Sequence, residues 1–502
     1  MAKTQEINYR YALDFLSRLN TVSIAGKKVS DLTVMGRYNI WHTYQQLLFS
    51  DIKVFSQYQT EDFVRRYKIS LRRRIITIIR QGVFGGLALL VSLFGVIRWR
   101  IRAPKVLLFS VDKVSSRRYQ ADRRIEPVYH FLSDYGLSFH ECFHTILSKT
   151  FLSSFWKRKR MAWYLEAVDV LSSLGQFLRL IRQYDTQVVD EFPLAEFAPF
   201  ERPFARFLLK KYLRRIPTFT FRVRLFSALF RLHRPLLLFS IDDVRYYHEL
   251  ILACQNVQIP TYALQHGHFT KYQVGWLTTS SFSSEIIHPD RLIVWSEYWK
   301  NELLRLDTYF RPEQIIVGGA LVPLGASIPT PSGLDDSISI LIPYENDAPK
   351  KEVVDYIAAI LSFPNTTIYF KLRPDVSANK QLEDYGLTLQ FHERFIVVTE
   401  IKDYLEKIDL VAGTYSTLLY DMMAYGKPIA LLHTSLDYGE GMALNGLADR
   451  VERGDTLWSQ LTTIKHTPAA VIQERTQKLF DAIPRSLSQT LRQIAIQHRL
   501  IP

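Results

Sequence analysis

The stretch "YALQHGHFT" (262–270) ends an apolar run in Gln265, His266, Gly267 and His268. Imidazole titrates near neutral pH, so His266 at a strand end can act as a general base toward a hydroxyl nucleophile. Gly267 beside it admits a tight turn and close approach of substrate, and Gln265 and Gly267 are grouped with His266 as the reacting turn. His268 is either a support or incidental. A His-x-His pair could also be a metal clip or ordinary loop polarity, although no further ligand cluster accompanies it.

A second group lies in "LVAGTYSTLLYDMMAYGKPIALL". A strand-like run stops at Gly413, and Thr414, Ser416 and Thr417 fill the turn into helical spacing. Hydroxyls and free backbone N–H groups at a helix start form an anion site suited to phosphate. Asp421, one helical turn beyond Thr417, could hydrogen-bond a ribose hydroxyl. Simple N-capping by Ser or Thr accounts for the same residues. In "YFKLRPD", Lys371 and Arg373 stand on alternate positions of a strand end, where two cations on one face could grip a diphosphate. A surface ion pair with Asp375 is the plainer reading. Tyr344 in "IPYEN" could stack on a base, or be merely an aromatic in a turn.

Several chemistries find no support. There is no GxxxxGK[ST] phosphate loop, no GxGxxG after a strand, no Asp-x-Asp to hold a divalent ion on a diphosphate, and no GxSxG. What remains is diphosphate binding by cations, hydroxyls and a helix start, with neither metal nor organic cofactor expected.

The elements that must position these groups follow from buried strand-like runs alternating with helical ones. "KVLLFSV", "PLLLFSI", "PTYALQH", "RLIVWS" and "QIIVGGALV" mark one series. "ISILIPY", "TTIYFKL", "RFIVVT", "IDLVAGT" and "KPIALLH" mark a second. Between the first two strands of the first series, "MAWYLEAVDVLSSLGQFLRLIRQY" reads as helical. Such alternation means parallel sheets covered by helices on both faces. The Pro/Gly/Ser-rich stretch 323–337 reads as a linker. The expectation is an α/β chain with an accessory region over 1–104, a Rossmann-like domain over 105–325, and a second over 326–502 that ends in helices. The two doubly wound domains should face a cleft.

At 502 residues, 47% hydrophobic and 22% charged, the chain is long enough for two cores. Cys142 and Cys254 lie far apart and form no CxxC pair, which excludes a disulfide framework and fits a reducing compartment. The first residues lack the apolar core of a secretory signal, so the cytoplasm is the expected side. The net charge of +14 is local: Arg65 to Lys105 holds eleven cations and Arg202 to Arg234 ten, with no acid in either. This disfavours a nucleic-acid binder. The first window encloses Val83 to Ile97, fifteen uncharged residues, short of the roughly 20 a spanning helix needs. A monotopic segment in an anionic leaflet is preferred to a single span or a buried core helix. The second window reads either as an interfacial helix or as a helix face packed on its own domain.

The combination of "YALQHGHF" with "IIHPDRLIVWSEYWKNELL" and "QIIVGG" resembles bacterial surface-polysaccharide glycosyltransferases of the GT-B fold. "AGTYSTLLYDMMAYGKPI" is similar to their donor-domain motif, with Asp421 where Glu is usual. "KLRPD" stands where relatives often carry K-x-H-P-[RK], so Arg373 and Asp375 depart from the pattern. The resemblance covers roughly 105–450. It implies a nucleotide sugar on the C-terminal domain and a lipid-linked or glycan acceptor on the N-terminal one, at the cytoplasmic face of the inner membrane. A sugar-nucleotide epimerase, a polyol-phosphate transferase and a non-catalytic membrane scaffold are the alternatives.

Overall fold

The computed structural model describes the chain except residues 1, 25, 57–70, 103, 112–121, 145–161, 182–183, 242–245, 279–284, 320–336, 374–376 and 482–485; for 2–8, 71–81, 98–102 and 123 it describes the backbone. The expected linker lies almost wholly outside the described residues, as does Asp375.

Two wholly parallel sheets organise the chain. The first contains β1 (Val106–Val111), β2 (Phe139–His144), β3 (Ala162–Tyr164), β4 (Leu237–Ile241), β5 (Thr261–Leu264), β6 (Arg291–Val294) and β7 (Ile315–Val317). Their order is β7-β6-β5-β4-β1-β2-β3. The second contains β8 (Ile338–Pro343), β9 (Thr366–Lys371), β10 (Phe395–Val398), β11 (Leu410–Gly413), β12 (Ile429–Leu432) and β13 (Asp449–Val451). Their order is β10-β9-β8-β11-β12-β13. Each order reverses once, between β1 and β4 and between β8 and β11, and the carboxyl ends of strands at such a switch point open a crevice. The two-domain α/β architecture follows from this topology. Strands β1, β4, β5, β11 and β12 are buried at every position, as expected of strands covered on both faces.

Two elements differ from the sequence reading. The stretch taken as one long helix divides into edge strand β3 and a shorter helix. Strand β2, "FHECFH", carries His140 and Glu141 fully buried, and its polar residues conceal it from a search for apolar runs. The Tyr129 hydroxyl donates to one oxygen of the Glu141 carboxylate.

Ten helices matter below: α1 (Ala2–Thr21), α2 (Gln45–Ser56), α3 (Leu71–Arg102), α4 (Glu166–Phe177), α5 (Arg202–Leu213), α6 (Ile216–His233), α7 (Glu297–Arg305), α8 (Thr417–Ala424), α9 (Ala469–Phe480) and α10 (Leu487–Gln497). The amino-terminal region is joined to the first domain rather than appended to it. Arg18 grips Glu201 at 2.7 and 3.1 Å, while Asp51 accepts from Lys211 at 2.5 Å and from Tyr212 at 2.7 Å. Phe15 packs on Phe197 and Phe204.

These contacts decide between the two readings of 202–234 in favour of a helix face packed on its own domain. Its side chains Phe204, Leu208, Phe219, Phe226 and Phe230 are buried, while Leu232 is exposed. Lys210 pairs with Asp190, Lys211 with Asp51, and Arg222 with Asp169 and Glu249. The window is a helix pair packed on its own domain. The last helices also depart from a simple C-terminal unit. Thr490 of α10 donates to Gly318 O at 3.1 Å, His498 pairs with Tyr262 at 2.7 Å, and Ser296 donates to Leu479 O of α9 at 2.6 Å. The chain thus ends against the first sheet.

Candidate functional site

The Gln265 turn continues β5 beyond the sheet. The Gln265 N–H donates to Ile293 O at 2.9 Å, its carbonyl accepts the Trp295 indole N–H at 3.0 Å, and its side-chain oxygen accepts Trp295 N–H at 3.0 Å. Its Nε2 donates to Gly267 O at 2.7 Å. An amide can do this because it carries a donor and an acceptor on one planar group. Gln265 is buried and its polar atoms are committed to shaping the turn, so it positions His266 rather than reaching a ligand itself. His266 is half-buried at the bend. Gly267 does not adopt a positive φ, and a Cβ there would meet nothing within 4 Å. The tight-turn reason for glycine is therefore corrected: the position borders open space.

His268 is buried, with its ring 5.3 Å from that of Tyr415 and 6.4 Å from that of Tyr420, both in the second domain. Burial, assisted by His266, lowers its pKa to about 4, so the imidazole is neutral at pH 7. Its Nε2 has no hydrogen-bond partner.

Across the interface, the turn after β11 differs from expectation. The N–H groups of Thr414, Tyr415 and Ser416 all point at one anion, the carboxylate of Glu345, two residues past β8. Distances are 3.0, 2.7 and 2.6 Å, and the Thr414 hydroxyl adds a fourth donor at 2.7 Å. Gly413 makes this approach feasible, since a Cβ would lie 3.3 Å from Glu345 Oε1 and 3.3 Å from Pro343 Cγ. The nest is an anion site, but an internal carboxylate fills it. The expectation that Gly413, Thr414 and Ser416 cradle a donor phosphate is corrected accordingly. Burial raises the Glu345 pKa, opposed by the donors on Tyr415, Thr414 and Ser416. Ser416 is the N-cap of α8, accepting from Leu418 N–H at 3.2 Å.

Glu345 bridges the β8/β11 switch point. Beside it, Lys371 at the end of β9 and Arg373 two residues on are half-buried. Lys371 Nζ donates to Leu372 O at 2.6 Å, and the Arg373 backbone is held by both ends of the Gln381 amide, at 2.7 and 2.8 Å. Tyr344 is buried, and its hydroxyl donates to Asp384 at 2.8 Å. Its ring packs on Tyr385 in the domain core, which corrects the base-stacking role. Thr417 is exposed at the start of α8, and Asp421 is half-buried one turn later.

The two turns thus meet at the domain interface. Trp295 and Trp299, flanking the first residues of α7, extend the contact: Trp299 lies 4.9 Å from Tyr420 of α8 and 5.4 Å from Trp295. The amino-terminal helices close one side. Tyr9 pairs with Tyr438 at 2.5 Å, and Lys53 donates to Tyr9 at 3.0 Å and to Asp347 at 3.2 Å. Asp347 N–H donates to Tyr415 at 2.7 Å. Sequence reading missed Glu345, Tyr415, Tyr420, Tyr9 and Lys53; of these, only Glu345 carried a signal, as an acid two residues past a strand end at the switch point. Among the described residues, no group of three or more His, Cys, Asp or Glu side chains forms a metal site.

No family model and no curated protein matches the chain. Solved structures with distant likeness include UDP-GlcNAc 2-epimerase from Methanocaldococcus jannaschii, with 11% identity, TM-score 0.42, and coverage of 78% of this chain and 99% of that one. The glycosyltransferase of kitacinnamycin has 10% identity, TM-score 0.46 and coverage of 78% and 99%. MurG from Acinetobacter baumannii has 11% identity, TM-score 0.43 and coverage of 78% and 100%.

Proposed function

We propose that the chain is a glycosyltransferase of the GT-B type that takes a sugar from a nucleotide-sugar donor and needs no metal. The meeting of the His266–His268 turn with the Thr414–Asp421 segment across the domain interface carries this reading. It sets the His266-bearing strand end of one sheet against the turn after β11 of the other, the sheet whose strand β9 leads into Lys371 and Arg373.

In the proposed reaction an acceptor hydroxyl attacks the anomeric carbon and passes its proton to His266. The bond from that carbon to the diphosphate oxygen breaks, and the nucleoside diphosphate leaves with the developing negative charge. With Glu345 on the backbone N–H groups, that charge falls to Lys371 and Arg373. Asp421 takes a ribose hydroxyl, with Thr417 beside it. Gln265 and Gly267 hold the bend that presents His266. The acceptor is a lipid-linked glycan, and the setting is surface-polysaccharide synthesis at the cytoplasmic face of the inner membrane.

The test is incubation with a panel of nucleotide sugars, with and without membrane-extracted glycan acceptor. Sugar incorporation that needs acceptor and disappears in His266→Ala supports the reading. Conversion of the nucleotide sugar without acceptor would make the chain an epimerase and overturn it.

A further inference from the structure

Helix α3 has two unlike faces. Gly85, Ala88, Ser92 and Gly95 turn toward the first domain. A Cβ at Gly85 would stand 2.3 Å from Val170 Cγ2, and one at Gly95 2.9 Å from Ala162 O, so both glycines are needed for close approach. Ser92 Oγ accepts the Tyr164 N–H at 3.0 Å, which caps the exposed edge of β3. The helix is thus fastened lengthwise along the edge of the first sheet.

The opposite face is apolar and bare. Val83, Leu90, Leu93, Phe94 and Ile97 are exposed, Phe94 to 73%. They fall within about 100° of arc at helical spacing, opposite the packed glycines. No residue from Gly82 to Ile97 is charged, a span of about 24 Å. Seven arginines and no acid make up the charges of α3, all outside that span. A second exposed group follows α4. Arg179 adopts φ 57°, and the turn presents Phe177 (82% exposed), Leu178 and Leu180 outward. Because Gly95 faces Ala162 and Gly85 faces Val170, the two segments run antiparallel, which sets this lip beside the amino-terminal half of α3.

From these observations we infer that the outer face of α3, with the lip at 177–180, is a monotopic docking surface for an anionic lipid bilayer. Its apolar side chains enter the headgroup boundary while the flanking arginines meet lipid phosphates. A spanning role does not fit, because α3 is bound along its length to the sheet edge through Gly85, Ser92 and Gly95. A second copy is disfavoured as occupant, since it would set seven arginines against seven. The inference deepens the transferase reading by locating the membrane contact, and it rests on that reading only for the identity of the acceptor.

The experiment is co-sedimentation of the full chain with vesicles of phosphatidylcholine, alone or mixed with phosphatidylglycerol, in the absence of any nucleotide sugar. Failure of the transferase reading therefore leaves its outcome untouched. Binding is expected to the mixed vesicles, weaker to phosphatidylcholine alone, and diminished by salt. The double variants Leu90→Glu/Phe94→Glu and Phe177→Glu/Leu180→Glu should each bind about tenfold more weakly or worse, with unchanged melting because the side chains are exposed. Arg224→Ala, in the window packed on its own domain, should bind as wild type. A wild-type chain that stays in the supernatant at low salt overturns the inference, as does either double variant binding normally. A dimer in sedimentation equilibrium that Leu90→Glu/Phe94→Glu dissociates would assign the face to self-association instead.

Discussion

Replacing Glu345 by alanine removes the anion that organises the turn before α8. Four donors lose their acceptor: the N–H groups of Thr414, Tyr415 and Ser416, and the Thr414 hydroxyl. The burial that raises the Glu345 pKa shows that the ionised group is held at a desolvation cost. The loss on truncation therefore comes from the stranded donors rather than from the ion. A buried unpaired donor costs about 1–3 kcal/mol, and Tyr415 and Ser416 are half-exposed enough to recover part of this from water. The expected destabilisation is about 3–5 kcal/mol, or roughly 10 °C in Tm for a domain of this size. Glu345→Gln keeps one acceptor and sheds the buried charge, so it should lose less than half as much. The emptied nest should then bind external anions, and phosphate should raise the Tm of Glu345→Ala while leaving wild type nearly unmoved. Thermal melting by circular dichroism, with and without phosphate, reads both effects. Melting of Glu345→Ala within about 2 °C of wild type would refute the reasoning.

Other consequences follow from the same contacts. His266→Ala should abolish transfer with little change in Tm, because the imidazole sits half-exposed at the bend; retained turnover would remove it from the mechanism. Burial holds His268 near pKa about 4 and both His42 and His140 near about 3, all below the unfolded value of roughly 6.5. The folded chain then binds fewer protons than the unfolded one. Stability should be full above pH 6.5 and fall by several kcal/mol as pH drops toward 4, with His268→Gln flattening the slope by about one proton in urea titrations. Gly85→Leu would drive a side chain into Val170 and should lower Tm by exposing the β3 edge, whereas Gly86→Leu, with nothing within 4 Å of its Cβ position, should not.

The strands were readable because parallel strands covered on both faces must be continuous apolar runs. That logic failed where burial is polar: β2 hides His140 and Glu141 inside the sheet, and Tyr129, twelve residues earlier on another element, donates to Glu141. The cation-rich stretch 202–234 stayed open between two readings for a related reason. Its partners Asp51, Asp169 and Asp190 come from separate parts of the chain, and charge pairing over such distances leaves no local trace. In the candidate site, the positions of the His266 bend and the Thr414 turn at strand ends followed from alternation and the switch-point rule. That Glu345 fills the nest was not legible, since an N–H cradle looks the same in sequence whether its anion is a substrate phosphate or a carboxylate about 70 residues away. The resemblance motif around Asp290 and Trp295 proved to be packing: Asp290 holds the start of β5 through Thr261, at 2.8 Å, and Trp295 clamps its end.

The central claim, a nucleotide-sugar site between the two domains, is tested most directly by calorimetric titration of nucleoside diphosphates into wild type and three variants. One nucleoside diphosphate should bind wild type and His266→Ala alike, and Lys371→Ala and Arg373→Ala should each weaken that binding about tenfold. Absence of binding by every nucleoside diphosphate, or undiminished binding in both cation variants, would contradict it.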